Sequence, residues 1–282
     1  MALQFFEVCF AIHAGHGGST ATAHGVGVGV NWRVVAVSVI GTSHIASGTT
    51  CQDSCLAYVD SSQGNQPLLS IFVADGAGSA AHGGDGAELA IEVSAAFISE
   101  KYALPNFEIN HELAVGCVSR IRDRIYDHAI KCGRTPRDYA CTFLAVLSSL
   151  KGTLIMQIGD GGIVIDVGNG LEVPVIPMSG EYANMTHFVT DDDAINILAT
   201  KTFYEKATKV AVFTDGIQRL ALNMVENTAY EPFFAPFFKV LLTATADQEE
   251  ELRSALAQFL NSDAVNERTD DDKTLALAVM LD

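Results

Sequence analysis

Short apolar runs, separated by breaks rich in glycine, serine and proline, recur along most of this chain. Runs of this kind, bounded by turn residues, are typical of buried strands. Closely spaced runs between residues 140 and 176, split by Gly, Ser, Lys and Asn, predict an antiparallel meander. Elsewhere the same pattern predicts strands over residues 32–40, 56–59, 68–74, 209–214 and 274–281.

The hydrophobic period changes in two parts of the chain, where apolar residues recur at helical spacing. Residues 86–102 and 110–131 form the first predicted pair of helices, and Pro105 lies in the break between them. Residues 231–243 and 247–260 form the second predicted pair. Each pair follows a group of predicted strands, so helices and strands are segregated along the chain.

The order of these elements contains no tandem repeat and no long linker. It predicts an α+β fold in which antiparallel sheets carry helices on their outer sides. We expect a single domain over residues 31–282, preceded by an extension of uncertain structure over residues 1–30.

Composition and charge narrow the classes of partner. The chain has 282 residues, 49% of them apolar, which is ample for a large core and argues against disorder. Its 34 acidic and 17 basic residues give a formal charge of −17, which disfavours nucleic acids and anionic membranes as partners. The six cysteines complete no zinc signature, and the apolar amino terminus lacks a preceding basic residue. We therefore expect a cytoplasmic protein with reduced thiols.

Aspartates stand at the ends of the predicted strands. Asp75 and Asp215 each follow an apolar run and precede a glycine, Asp160 follows another run, and Asp271 precedes the last strand. Asp53 lies between the first two strands. Strand ends that are neighbours in a sheet would bring these carboxylates close together.

Carboxylates held close together repel one another unless a cation lies between them. Oxygen ligands of this kind select Mg²⁺ or Mn²⁺ rather than Zn²⁺. A single Asp-Gly pair is more commonly a simple turn, which is the alternative for each aspartate taken alone. For the set of five, the pattern favours a metal site.

Five short motifs contain these aspartates in a fixed order. They are Cys51-Gln52-Asp53, Ala74-Asp75-Gly76-Ala77-Gly78, Ile158-Gly159-Asp160, Phe213-Thr214-Asp215-Gly216 and Asp271-Asp272-Lys273-Thr274. The ordered set resembles the metal-dependent protein phosphatases of type 2C. The stretch Gly-Thr-Ser-His at residues 41–44 is similar to the start of their bacterial branch, and the resemblance extends from about residue 35 to the carboxyl terminus.

The resemblance implies a central sandwich of two antiparallel sheets with helix pairs on both outer faces, a four-layer αββα arrangement. It also implies a site for two Mg²⁺ or Mn²⁺ ions in a cleft at one end. Asp75 would bridge both ions, the Gly76 carbonyl would bind one, and Asp215 and Asp271 would complete the other. Asp160, together with Asp215, would match a third and weaker ion site.

Further roles follow from the same resemblance. Asp53 would be a nearby acid that acts directly or through a bound water. Residues 181–190 resemble the variable flap of the family, so Asn184 and Thr186 are expected to contact substrate.

The chain departs from the family at three positions, one of which is Gln52, where a glutamate is common. Gly48 stands where many members have a phosphate-binding arginine, and Ala77 stands where some have a histidine that could act as a general acid. His44 and His82 are the nearest substitutes, and an ionised imidazole could perform either task. A structural histidine is the alternative for each. Surface arginines could also contact phosphate, with packing as their alternative role: Arg33, Arg134 and Arg137.

The resulting hypothesis is hydrolysis of phosphoserine and phosphothreonine in proteins by a water activated between two Mg²⁺ or Mn²⁺ ions. Two alternatives remain open at this point. One is a catalytically degenerate, phosphatase-like module that binds a partner, and the other is a hydrolase of a small phosphorylated metabolite. The sequence leaves the oligomeric state and the physiological substrate open.

Overall fold

The structure, a computed structural model, describes residues 31–62, 66–177 and 186–281. The predicted extension over residues 1–30 lies outside this range. The strands are β1 (Asn31–Val39), β2 (Asp53–Asp60), β3 (Leu68–Asp75), β4 (Phe143–Ser149), β5 (Gly152–Ile158), β6 (Gly162–Asp166), β7 (Leu171–Glu172), β8 (Ala199–Phe203), β9 (Lys209–Phe213), β10 (Leu222–Asn223), β11 (Thr228–Ala229) and β12 (Lys273–Leu281). The α-helices are α1 (Thr42–Ser47), α2 (Gly83–Tyr102), α3 (His111–Lys131), α4 (Ala194–Ile197), α5 (Gln218–Ala221), α6 (Glu231–Thr243), α7 (Glu249–Leu260) and α8 (Asp263–Asn266).

Most of the strands belong to two five-stranded sheets. The first has the order β1-β12-β9-β6-β7 and the second has the order β2-β3-β4-β5-β8, with antiparallel pairing throughout. Strands β10 and β11 form a separate hairpin. The predicted α+β class with antiparallel sheets is therefore confirmed.

Side-chain alternation along the strands produces three apolar layers. In β3, Phe72 and Ala74 pack against α2 and α3, whereas Ile71 and Val73 pack between the two sheets. Strand β12 alternates in the same way between the other sheet's helices, α6 and α7, and the centre of the sandwich. The layers therefore run helix pair, sheet, sheet, helix pair.

The chain crosses from one sheet to the other between β5 and β6, and this corrects the predicted meander. Strands β4 and β5 form a hairpin in the second sheet, but β6 pairs with β9 and β7 in the first. Strand β7 ends at Glu172 and does not continue to residue 176 as predicted. Pro174 and Pro177 explain the early end, because proline has no N–H for a sheet hydrogen bond.

The prediction also missed several short or partly exposed elements. Strand β8 lies at the edge of its sheet and is only partly buried, so it lacks a continuous apolar run. The one-turn helix α1 has no buried residue and lies between β1 and β2. Across the described ranges, no helix combines the length and the apolar character that crossing a membrane requires.

Candidate active site

Five strand ends meet at one end of the sandwich. Asp53 begins β2 and is paired directly with Asp75, which ends β3 in the same sheet. In the other sheet, Phe213 at the end of β9 is paired with both Gly162 and Leu275. Asp160, Asp215 and Asp271 lie two to four residues from these positions. Hydrogen bonds from Thr214 and Thr274 to Asp53 bring this end of the sheet to the first two aspartates.

Asp75 and the glycine after it are fixed by close backbone contacts. The Asp75 N–H donates to Thr142 Oγ1 at 2.9 Å, and its carbonyl accepts from Thr142 N–H at 2.8 Å. A Cβ atom at Gly76 would lie 2.3 Å from the carbonyl carbon of Gly83. Only glycine fits there, because the start of α2 packs directly on the loop.

The Asp53 carboxylate links the two sheets. Its Oδ2 accepts hydrogen bonds from Thr214 Oγ1 at 2.8 Å and from Thr274 Oγ1 at 2.7 Å. Both threonines belong to the sheet opposite Asp53, next to the predicted ligands Asp215 and Asp271. The apolar centre of the sandwich thus gives way to a polar cluster at this end.

The electrostatics of the cluster show how closely its carboxyl groups are gathered. Burial raises the pKa of Asp53 to about 7, although its two threonine hydrogen bonds oppose the rise. Burial also raises the pKa of Asp75 well above its usual range, and the charges of Asp53, Asp215 and Asp271 add to the effect. For Asp215, burial followed by the charges of Asp160 and Asp271 raises the pKa to about 6. Burial raises the pKa of Asp271 as well.

These carboxylates fit a pair of divalent cations. Asp53 Oδ1 and Asp215 Oδ1 are buried and have no hydrogen-bond partner within the described residues, which is costly unless a ligand supplies one. Hard oxygen donors that repel one another are the set that Mg²⁺ or Mn²⁺ would stabilise. The donors need not converge on one point, because paired ions in such sites lie about 3.5–4 Å apart.

A second acidic group lies near the predicted flap. Ligand atoms of His187, Asp191 and Asp193 all lie within 4.8 Å of one another. Asp191 Oδ2 already accepts from the Phe188 N–H at 2.8 Å, and Asp193 is exposed. Nothing in the described residues directs a cation to this group, which extends from His187 within the predicted flap to Asp193 after it.

Asp160 lies on the loop at which the chain changes sheets, and it contacts a residue of the predicted flap. Thr186 Oγ1 donates to Asp160 Oδ2 at 2.6 Å. The structure therefore places the Thr186 hydroxyl on a predicted metal ligand, and its contact with substrate stays a prediction. Asn184, predicted to contact substrate, lies outside the described residues.

His44 lies on α1 beside the segment that carries Asp271. Its Nδ1 is 2.9 Å from Asp272 Oδ1, close enough for an ion pair, although the angle does not make a hydrogen bond. Asp272 is only 3% exposed, and its carboxylate accepts the N–H groups of Gly41 and Gln52, each at 2.6 Å. Asp272 thus fixes both α1 and the residue before Asp53.

Three of the other candidate cations have structural contacts, and the fourth, Arg137, is exposed. His82 Nδ1 pairs with Asp85 at 2.9 Å, and its ring stacks on Tyr139 with centroids 5.4 Å apart. Arg134 Nη1 donates to the Tyr139 hydroxyl at 2.9 Å, and Arg33 Nη1 donates to the Leu241 carbonyl at 2.8 Å. These contacts match the packing roles considered above, and His44 is the candidate that packs against the acidic cluster.

Sequence reasoning did not assign roles to Thr214, Thr274 and Asp272. Each lies within three residues of a predicted ligand in one of the five motifs, so proximity along the chain was an available sign. The sequence does not indicate that Thr214 and Thr274 both donate to one oxygen of Asp53, because these hydrogen bonds join two different sheets.

Comparison with known proteins identifies a family and a relative. The family model described as protein phosphatase 2C matches residues 40–261. A protein of Escherichia coli (strain K12), serine/threonine-protein phosphatase 3, is 54% identical over 250 residues, covering 89% of this chain and 99% of that protein.

Solved structures share the fold at low identity. The catalytic domain of the serine/threonine protein phosphatase PstP, solved with two manganese ions, matches with a TM-score of 0.56 and 14% identity, covering 90% of this chain and 99% of that one. Serine/threonine phosphatase Stp1 from Staphylococcus aureus matches with a TM-score of 0.55 and 12% identity, covering 92% and 99% of the two chains. With the family model and the E. coli relative, these matches confirm the resemblance found in the sequence: the chain belongs to the protein phosphatase 2C family.

Proposed function

We propose that this protein hydrolyses phosphoserine and phosphothreonine in proteins, using Mg²⁺ or Mn²⁺ ions held at the acidic end of the sandwich. The observation that carries the proposal is the convergence of buried carboxylates from both sheets, two of them with an unpartnered oxygen. The name of the E. coli relative supports a phosphoprotein substrate, and the two manganese ions in PstP support the choice of metal. We propose residues 31–282 as a single catalytic domain and a cytoplasmic location, to which the free thiols are suited.

The proposed ligands follow from the placement of the strand ends. Asp75 and the Gly76 carbonyl would hold ions from one sheet, and Asp215 and Asp271 would hold them from the other. Asp160 would contribute to a further, weaker site. When bound, two such ions lower the pKa of a water molecule and offset charge on the phosphoryl oxygens.

The remaining groups would orient the reactants and move protons. Asp53 Oδ1 is buried and has no partner in the described residues, so it would accept a proton from a water in the cleft. Its other oxygen is fixed by Thr214 and Thr274, which keeps Oδ1 in one orientation. His44, backed by Asp272, is the proposed contact for the substrate phosphate or its leaving oxygen. Positioning and electrostatics would supply most of the acceleration.

The decisive experiment compares turnover with and without Mn²⁺ on three substrates: para-nitrophenyl phosphate, a phosphoserine peptide and a panel of sugar and nucleotide phosphates. We expect metal-dependent turnover with preference for the peptide. Asp75→Asn should abolish turnover while the protein stays folded, whereas Asp127→Asn on the exposed face of α3 should leave it unchanged.

Each other outcome selects a different function. A folded wild-type protein without metal-dependent turnover would identify a binding module. Turnover confined to small phosphates would identify a metabolite hydrolase. Near wild-type activity of Asp75→Asn at saturating Mn²⁺ would show that the ligand assignment is wrong.

A further inference from the structure

The loop at which the chain crosses between the sheets is held by a buried glutamine. Gln157 lies on β5 and is fully buried. Its Nε2 donates to the carbonyl of Gly159 at 3.3 Å and to the carbonyl of Gly161 at 3.1 Å. One side-chain amide thus binds the backbone on both sides of Asp160.

A second glutamine binds the carbonyl between these two. Gln218 begins α5, shortly after Asp215, and its Nε2 donates to the Asp160 carbonyl at 2.8 Å. Three consecutive carbonyls, at residues 159, 160 and 161, therefore accept from two glutamine amides. Gln218 also joins the loop of Asp160 to the turn that carries Asp215, and these are the two carboxylates proposed for the weaker ion site.

The orientation of Gln157 is fixed by its surroundings. Its Oε1 has no partner within the described residues. Rotating the amide by half a turn would place Oε1 against the carbonyls of Gly159 and Gly161, so that oxygens would face oxygens. The amide therefore keeps both of its donors on the loop.

The backbone of the loop leaves little room for adjustment. Gly159 has a φ of +112°, and a Cβ atom there would lie 2.5 Å from a carbon of Thr142. A Cβ atom at Gly161 would lie 2.6 Å from the Phe213 carbonyl oxygen. The loop is thus held close to both sheets, and the Asp160 side chain projects from a backbone fixed on every side.

From this arrangement we infer that Gln157 and Gln218 are positioning residues for Asp160. They hold the carboxylate in the orientation that binds a cation, and Gln218 couples that orientation to the Asp215 turn. The inference rests on the proposed function, because it concerns the same ion site. It assigns neither glutamine a contact with substrate or metal.

The test measures Mn²⁺ binding by isothermal titration calorimetry to the full chain without substrate. The variants are Gln218→Ala and Gln157→Leu, and the matched control is Gln258→Ala, on the exposed face of α7. Outer-shell partners of metal ligands typically contribute about 10–100-fold to affinity. We expect Gln218→Ala to weaken at least one Mn²⁺ site by about tenfold, with the control isotherm matching the wild type.

Thermal unfolding separates positioning from a structural role. In EDTA, Gln218→Ala should unfold at nearly the wild-type temperature, because Gln218 is half-buried and its loss leaves no cavity in the core. Adding Mn²⁺ should raise the unfolding temperature of the variant by less than that of the wild type. With para-nitrophenyl phosphate, half-maximal activity should need more Mn²⁺, and kcat should recover at saturation while KM stays unchanged.

The outcomes distinguish this inference from the proposed function. If Gln218→Ala binds Mn²⁺ as the wild type does, the inference is overturned even if the enzyme is active. If the wild type binds Mn²⁺ but turns over no phosphate, while Gln218→Ala still weakens binding, the inference stands and the proposed function fails. A wild type that binds no Mn²⁺ overturns both. Should Gln157→Leu fail to fold, Gln218→Ala decides alone.

Discussion

Replacing Asp215 with asparagine should stabilise the metal-free protein at pH 8 while removing a proposed ion ligand. Burial, followed by the charges of Asp160 and Asp271, raises the pKa of Asp215 from 3.8 to about 6. At pH 8 the folded protein must therefore keep an ionised carboxylate in a place that disfavours it. A neutral amide of similar shape avoids that penalty.

The magnitude follows from the two pKa values of Asp215. The difference between 3.8 and about 6, at about 1.4 kcal/mol per pH unit, sets an upper limit of about 3 kcal/mol. The neighbouring carboxylates share the same repulsion, so we expect a gain of about 1–2 kcal/mol.

The direction in which the stability difference changes with pH follows from proton linkage. A carboxyl group whose pKa is raised by folding contributes stability below its unfolded pKa of 3.8, and loses that contribution as the pH rises through about 6. Asparagine does not titrate, so the advantage of Asp215→Asn over the wild type should grow between pH 5 and pH 8.

Urea denaturation in EDTA at both pH values measures this effect. Asp123→Asn, on the exposed surface of α3, serves as the control and should follow the wild type. Saturating Mn²⁺ should reverse the order at pH 8, because cation binding stabilises the wild type and not the variant. An Asp215→Asn protein that is less stable than the wild type at pH 8 in EDTA would refute the electrostatic reasoning.

Three further predictions concern the same end of the sandwich. Removing metal with EDTA should lower the unfolding midpoint more at pH 8 than at pH 5, because the raised pKa values of Asp53 and Asp215 leave the cluster partly protonated at the lower pH; equal losses would contradict this. Gly76→Ala should lower the free energy of unfolding, measured by urea titration, by on the order of 3 kcal/mol, because its Cβ would lie 2.3 Å from a backbone atom. Gly78→Ala, where the Cβ would meet no atom within 4 Å, should leave the free energy of unfolding unchanged. Thr214→Val removes a hydrogen bond to the Asp53 carboxylate. It should lower the free energy of unfolding in EDTA by about 1–2 kcal/mol at pH 8 and by less at pH 5. An equal loss at both pH values would assign the effect to packing.

The predictable part of the fold was the part encoded by local apolar runs. Strand β3 and residues 210–213 of β9 are almost entirely buried on both faces, so their sequences are mostly apolar and are followed or ended by a polar residue. The long helices were predictable from their spacing. Strand β8 was missed because an edge strand with only partly buried side chains carries neither pattern.

The crossover between sheets shows what a local pattern cannot encode. The runs that form β4, β5 and β6 look alike in sequence, but β6 pairs with β9, which lies more than forty residues further along the chain. Pairing partners at that distance are chosen by packing of the whole sandwich. Asp160 was predicted as a ligand from its motif. Its supports are Gln157 in β5 and Gln218 at the start of α5, which lie far apart in the chain and could be recognised only from coordinates.

The hydrogen bonds from the Thr214 and Thr274 hydroxyls to Asp53, which bridge the two sheets, affect where the sandwich opens transiently. Over most of their area the sheets contact each other through apolar side chains. These contacts are non-directional, so no specific donor or acceptor is lost when they separate. At the bridged end, separating the two sheets would leave the buried Asp53 carboxyl group without its hydrogen-bond donors. We therefore expect transient opening of the sandwich to start at the opposite end. Backbone amides of β9 and β12 beside the bridge, which are interior strands of their sheet, should therefore be among the last in the molecule to exchange with deuterium.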